Sequence, residues 1–432
     1  MRRTLSPSPA RSQASRITVV LAAVLVALVP ASAHAGSAEP PSGIHEVALR
    51  VATGADVDGL ASAAGAEALR PLVEQHGLWV LTFTERSRAE EAPEVLEDLA
   101  GVRWSVPHEQ ALAPVASHRS WAWADVEGHH RSWAWTDTDA HHRSWAWSDG
   151  EVADQDPVVL WQRSPLTTTL GLAEAHRAGR GAGTVVAVLD TGLDVDHPAL
   201  AGAEVRGGVD LVEGGAVGTG WSDHGPGHGT AVAAMVHLVA PEASLLPIRV
   251  LDQEGRGSLA TLILGIELAI EAGVDVINLS LGTDAESEVL ERVVQEAEEA
   301  GIVLVAAVGN RGADVEEYPA RANEVVAVAA VDATDTAAPF TSDGDWIDLA
   351  APGVGLLAPA AHGRWAWWSG TSLAAPLVAG QAALLRGLDP HLSAEDVVAL
   401  IDGTLVEVER LDSAIGEGRI DVAASVRALL ED

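Results

Sequence analysis

The sequence predicts an α/β domain on a doubly wound parallel sheet from about Asp156 onward, with a smaller α+β unit before it. Three observations carry that prediction. Apolar runs at Val185–Leu189, Leu245–Leu251, Val276–Leu281, Ile302–Val308 and Val325–Val331 read as strands buried on both faces. Helical patterns at Gly229–Leu238, Leu259–Ala272 and Glu288–Ala300 lie between such runs, and that alternation packs as parallel βαβ units. Further helical stretches at Ser372–Leu388, Ala394–Ile401 and Val422–Leu430 close the chain.

The N-terminal elements follow a different rhythm. Ile44–Val51 alternates as a strand does, Val57–Leu69 is helical, and Leu78–Phe83 is strand-like. A helix pattern at Glu90–Leu99 and a strand at Val102–Val106 complete a βαβαβ order. Before it, residues 1–35 read as an export signal: Arg2, Arg3, Arg11 and Arg16, an apolar run Ile17–Val29, then Ala33-His34-Ala35 as the cleavage site. The run is shorter than the roughly 20 residues that span a bilayer. A secreted chain with no membrane contact after cleavage is therefore expected.

Composition narrows the partners. There is no lysine, and 26 arginines stand against 62 acidic residues for a formal charge of −36, which repels nucleic acid and anionic membranes. With no cysteine, an exported chain has no disulfides and depends on its core or on bound ions.

Between the two units, residues 113–155 carry the hexapeptide His-Arg-Ser-Trp-Ala-Trp three times, at His118–Trp123, His130–Trp135 and His142–Trp147. The copies start 12 residues apart and hold six of the 14 tryptophans. Three units this short do not make a solenoid. A cleavable tether, an aromatic binding surface and a source of short released peptides all fit the pattern. Arg364-Trp365-Ala366-Trp367-Trp368 echoes the repeat far downstream.

Three local patterns carry chemistry. The strand VVAVLD ends in Asp190, and the carboxyl ends of such strands are where an α/β sheet gathers its functional groups. Gly227-His228-Gly229-Thr230 opens a helix, its glycines letting backbone approach while one side of the imidazole stays open. Gly370-Thr371-Ser372 opens another, where backbone N–H groups converge as a developing oxyanion requires. Gly179–Gly183 precedes its strand instead of following it, so it is no nucleotide loop. His224 lacks a helix start, His197-Pro198 reads as a turn, and His45-Glu46 has no second histidine at metalloprotease spacing.

Together these segments resemble the subtilisin-like serine protease family, whose chain order is Asp, His, Ser. Val186–Leu200 is similar to the family's Asp motif, the stretch from His228 to its His motif and Gly370–Gly380 to its Ser motif. Leu251–Ser258 and Ile277–Gly282 resemble the segments flanking an extended substrate, and Ala306–Gly312 the one supplying an oxyanion asparagine. The resemblance implies a subtilisin-like domain at 156–432 with Asp190, His228 and Ser372 as triad and Asn310 in the oxyanion hole. Gly255, Gly257, Ser280, Leu281 and Gly282 would line the substrate strand. It further implies a monomeric endopeptidase acting on protein or peptide. A ferredoxin-like pro-domain at 40–112 would inhibit it intramolecularly. No cofactor is needed for the chemistry. The family admits structural calcium, but the loop that usually carries its tight site is absent between Val236 and Pro241, and no metal ligands are assigned. The rival expectation is a non-catalytic binding protein that works through its Trp repeats.

Overall fold

The computed structural model describes residues 45–97, 99–108, 146–148, 157–213, 215–217, 227–312, 315–407 and 413–431. The expected export signal and nearly all of the repeat segment lie outside the described residues.

The N-terminal unit contains β1 (His45–Val51), α1 (Val57–Ala64), β2 (Ala68–Val73), β3 (Leu78–Phe83), α2 (Arg86–Glu97) and β4 (Val102–Pro107). Its four strands form one antiparallel sheet in the order β2-β3-β1-β4. The expected βαβαβ order is thus corrected to βαββαβ. The first helix does not reach Leu69: Asp56 caps it by accepting from the Gly59 N–H, and Gly65 at φ 71° ends it in the left-handed region. The residues freed form β2, an edge strand that carries Pro71 and is mostly solvated, so it lacks an apolar signature.

After β5 (Ala146–Ser148) come three short helices, α3 (Pro157–Gln162), α4 (Pro165–Thr169) and α5 (Leu172–Ala178). The main sheet then begins with β6 (Val185–Asp190), followed by β7 (Glu204–Val205), β8 (Gly208–Asp210) and β9 (Gly215–Val217). Next are α6 (His228–Val239), β10 (Ser244–Arg249), α7 (Leu259–Ala272), β11 (Val276–Leu279), α8 (Glu288–Glu299) and β12 (Val303–Ala307). β13 (Val325–Val331), β14 (Leu349–Pro352), β15 (Leu356–Ala360), β16 (Arg364–Ser369), α9 (Thr371–Leu388), α10 (Ala394–Asp402) and α11 (Val422–Glu431) complete the fold.

Nine strands make the sheet, in the order β14-β13-β12-β11-β6-β10-β8-β9 with β7 also on β10. Every pairing is parallel except β8 with β9. Side-chain alternation sorts the two faces. Val186 and Val188 join the core beneath α6 and α9, while Val185, Ala187 and Leu189 join the one beneath α7 and α8. The chain steps from β6 to β10 on one side, then crosses back to build β11 to β14 on the other. That reversal opens a crevice at the carboxyl ends of β6 and β11, where ligands of such sheets bind.

Candidate active site

Asp190 is the last residue of β6 and is buried in the crevice. Both of its carboxylate oxygens lie within hydrogen-bond distance of His228 Nδ1, at 2.8 and 3.0 Å. The Thr191 N–H donates to Asp190 Oδ1 at 2.7 Å, so the carboxylate is held from both sides. His228 is the first residue of α6 and is completely buried. The flanking glycines have identifiable tasks. Gly227 sits at φ 90° as the N-cap, and a Cβ on Gly229 would collide with the Gly192 carbonyl. The Gly229 N–H donates to Thr191 Oγ1 at 3.0 Å, tying the histidine helix to the loop after Asp190.

Ser372 is the second residue of α9, and its buried Oγ makes no hydrogen bond among the described residues. Its carbonyl reveals a dependence that crosses the sheet. In a helix that oxygen would accept from the N–H four residues on, which here is Pro376 and has none. Ser280, just past β11, supplies the missing donor: its Oγ donates to Ser372 O at 2.9 Å and accepts from Asn278 Nδ2 at 3.0 Å. Of the five expected substrate-strand residues, Ser280 therefore uses its side chain to hold the serine turn, with Leu281 and Gly282 buried beside it.

Asn310 follows β12 and is buried. Its Oδ1 accepts from the Thr371 N–H at 2.9 Å, and Thr371 Oγ1 accepts from the Gly309 N–H at 3.3 Å. These two bonds place the asparagine amide beside the start of α9. They also assign the oxygen, leaving Nδ2 as the amide's donor end.

Gly255 and Gly257 belong to a turn on the other flank. Gly255 has φ 77°, and Leu251 bridges Gly257 antiparallel. The Val250 and Leu251 N–H groups donate to Asp190 O at 3.0 and 3.2 Å, so this turn is anchored to the strand that carries Asp190. The Arg256 guanidinium is already engaged by Asp252 and Glu254, at 3.0 and 3.1 Å.

Sequence reasoning missed the aromatic wall. Trp368 is buried, donates Nε1–H to Pro359 O at 3.0 Å and sets its ring edge-on to His228, centroids 6.1 Å apart. Trp365 meets the rings of Trp161 and His197 at 5.7 and 5.2 Å. His197 Nδ1 accepts from the Ala199 N–H at 3.1 Å and Nε2 lies 2.9 Å from Arg364 O, which assigns the Nε2–H tautomer and clamps β16. Burial pushes the His197 pKa down, in keeping with that neutral form. The downstream echo of the repeat is thus the strand leading into the serine helix, and its recurring tryptophans are the only signal that could have found it.

A carboxylate holding a buried histidine, a serine at the start of a helix and an asparagine bonded to that same helix start are groups that fit a serine-type endopeptidase. The subtilase family model matches residues 181–418, and the chain belongs to that family. It is 37% identical over 262 residues to subtilisin DY of Bacillus licheniformis, covering 57% of this chain and 92% of that protein. Identity to thermitase of Thermoactinomyces vulgaris is 35% over 264 residues, 59% of this chain and 92% of the relative. Among solved structures, fervidolysin from Fervidobacterium pennivorans, a keratinolytic enzyme related to subtilisin, shares the fold with a TM-score of 0.66 at 22% identity. That likeness covers 90% of this chain and 62% of fervidolysin. A lanthipeptide protease gives a TM-score of 0.57 at 24% identity, over 63% of this chain and 95% of its own. The protein is accordingly a serine-type endopeptidase, cutting protein or peptide substrates by the family's general mechanism.

Proposed function

We propose that Asp190, His228 and Ser372 are the catalytic triad of a secreted endopeptidase made as a self-inhibited precursor. The carrying observation is the two-oxygen grip of Asp190 on His228 Nδ1 in a site closed to solvent. Such a grip fixes the imidazole so that Nε2 takes the Ser372 Oγ proton as Oγ attacks the scissile carbonyl. The same proton then goes to the leaving amine, and water repeats the sequence on the acyl-enzyme. Asp190 stays ionised and stabilises the imidazolium. Asn310 Nδ2 and the Ser372 N–H hold the oxyanion, a reading supported by the Thr371 contact that turns the donor end of Asn310 outward from its anchored oxygen. The substrate lies as an extended strand between Gly255–Gly257 and Ser280–Gly282. The chemistry uses no metal or other cofactor.

Residues 40–112 are the inhibitory pro-domain, of ferredoxin-like build. Support comes from the βαββαβ order and from the packing of its sheet on α7 and α8, where Arg50 Nε and Trp104 Nε1 both donate to Glu267, at 3.2 and 2.8 Å. Residues 1–35 direct export, and 113–155 tether the two units. Intact mass before and after a serine-directed fluorophosphonate tests the whole reading. One adduct on Ser372, in a chain shortened at its N-terminus, is expected. A full-length chain that stays unlabelled after treatment with a processing protease would overturn it in favour of a binding protein.

A further inference from the structure

The outer edge of β16 carries a second binding feature that catalysis does not use. β15 and β16 form an antiparallel hairpin, and β5 adds to it as a third strand in the order β15-β16-β5. In that ladder Trp367 pairs with Ser148, Trp368 with Trp147 and Ser369 with Ala146. β5 is the end of the third hexapeptide repeat, and β16 is the segment that echoes the repeat. The last two residues of a repeat, with Ser148 after them, are therefore seated on a strand that itself contains Trp-Ala-Trp.

We infer that the β16 edge is a strand-docking slot for the repeats of this same chain, and that all three copies are interchangeable occupants of it. Three observations argue for this occupant. Without β5 the edge would present unpaired N–H and C=O groups, and Trp367 beside it is 44% exposed, an unusual state for so large a side chain among the described residues. The slot is held rigid from behind, through the Arg364 carbonyl on His197 and the Trp368 indole on Pro359 O. Finally, all three repeats offer the slot the same six residues, His-Arg-Ser-Trp-Ala-Trp, ahead of Ala124, Thr136 and Ser148 respectively. The paired Ala-Trp is common to all three copies, which differ at the third paired position (Ala124, Thr136 or Ser148) and, far more, in the chain between β4 and the slot.

That difference is large. Between Pro107 and the docking tripeptide lie 38 residues when Ala146 docks, 26 when Ala134 does and 14 when Ala122 does. At about 3.3 Å per extended residue each step of 12 shortens the reach by up to about 40 Å. Three paired residues bind weakly as a free peptide. A tether raises their effective concentration to the millimolar range, so repetition keeps the slot filled while the tether length changes. The slot ends at Ser369, one residue before the N-cap of α9, so its occupant braces the strand that sets Trp368 against His228.

Disulfide trapping in the full chain tests this without interference, because the sequence has no cysteine of its own. The Ser372→Ala background keeps the chain in one piece. Trp367→Cys with Ser148→Cys, oxidised in a glutathione buffer, should cross-link as cross-strand neighbours do, since their Cα atoms fall within the about 7 Å a disulfide spans. Trp367→Cys with Thr136→Cys should link weakly, then at least tenfold more once Trp145 and Trp147 are changed to serine. The pair Trp367→Cys with Thr138→Cys, out of register, should remain at least tenfold lower than Thr136→Cys in that vacated background. A millimolar synthetic peptide of residues 142–148 should suppress the 148–367 link, and a scrambled peptide should not. This last measurement leaves the repeats of the chain intact and so stands even if the serine variants misfold. Failure of the 148–367 link, equal trapping at 136 and 138, no gain at 136 on vacating the slot, or suppression by both peptides alike would each overturn the inference.

Discussion

The two sheets of this protein are finished in different ways. In the main sheet β6 is buried at all six positions, with α6 and α9 on one face and α7 and α8 on the other. The N-terminal sheet supplies helices for one face only. Val47, Leu49 and Val51 of β1 pack with Leu60, Ala92 and Leu96 from α1 and α2, whereas Ala48, Val73, Leu78, Trp104 and Val106 share a core with α7 and α8. The small unit is thus completed by its neighbour, while the large one carries its own cover. A sheet of about 60 residues with one borrowed face is marginal alone.

The largest effects should fall on chemistry and leave that architecture untouched. Ser372→Ala should lower kcat by about 10⁶, Asp190→Asn by about 10⁴ and Asn310→Ala by 10²–10³, taking the figures known for serine proteases and for subtilisin itself. Unchanged Tm values beside those losses would support the division between a self-sufficient core and its site. Loss of folding in Ser372→Ala would break it.

The borrowed face is tested next. Residues 40–112 added in trans should inhibit the mature enzyme, and Trp104→Ala should weaken that inhibition about 30-fold, as for a buried aromatic anchor worth about 2 kcal/mol. Glu267→Ala on the enzyme side should cost a comparable factor, because it removes the shared acceptor of Arg50 and Trp104. If neither substitution changes the inhibition constant, the face is not what holds the unit in place.

A smaller effect is expected where the large core supports its own site. Ser280→Ala leaves the Ser372 carbonyl with no donor, at a cost of about 1–2 kcal/mol. We expect kcat to fall about tenfold with KM little changed, and Ser280→Thr, which keeps the hydroxyl, to recover most of it. A rise in KM alone would instead place Ser280 with the substrate.

What was legible in the sequence follows the same division. Strands covered on both faces are unbroken apolar runs, and β6, β10, β11, β12 and β13 announced themselves that way. Asp190 stood out as the end of a buried strand, and His228 and Ser372 because glycines flank the one and open the helix of the other. β2 was hidden because an edge strand with Pro71 and solvated side chains carries no such pattern. The Ser280–Ser372 bond joins residues 92 apart, and the need for it is encoded by a proline, which local periodicity does not register. β16 was hidden for a related reason: its tryptophans meet His197, His228 and Trp161, partners that only the fold assembles.

The smallest predicted effects are on stability against pH, and they compare a fully buried carboxyl with an exposed one inside the large domain. Glu317 is 1% exposed and lies 2.9 Å from Arg311, yet the two are not aligned as a hydrogen bond. Burial therefore dominates and pushes its pKa up to about 7, with the Arg311 charge only partly offsetting this and Asp284 adding to it. Asp402 is pushed up to about 6 by burial and by the neighbouring Asp348 and Glu417 charges. A raised acid holds a proton in the folded state that the unfolded chain releases. Its contribution is present below the ordinary carboxylate range and is lost as pH rises, through about 7 for Glu317 and about 6 for Asp402. Glu317→Gln should accordingly flatten the fall in Tm between pH 5 and 8, raising Tm at pH 8 by a few degrees and leaving it unchanged at pH 4. Asp402→Asn should do the same over a window ending nearer pH 6 and by about 1 °C, because solvent screens much of its cost. Equal gains from both would mean that neighbouring charge, and not depth of burial, sets the penalty.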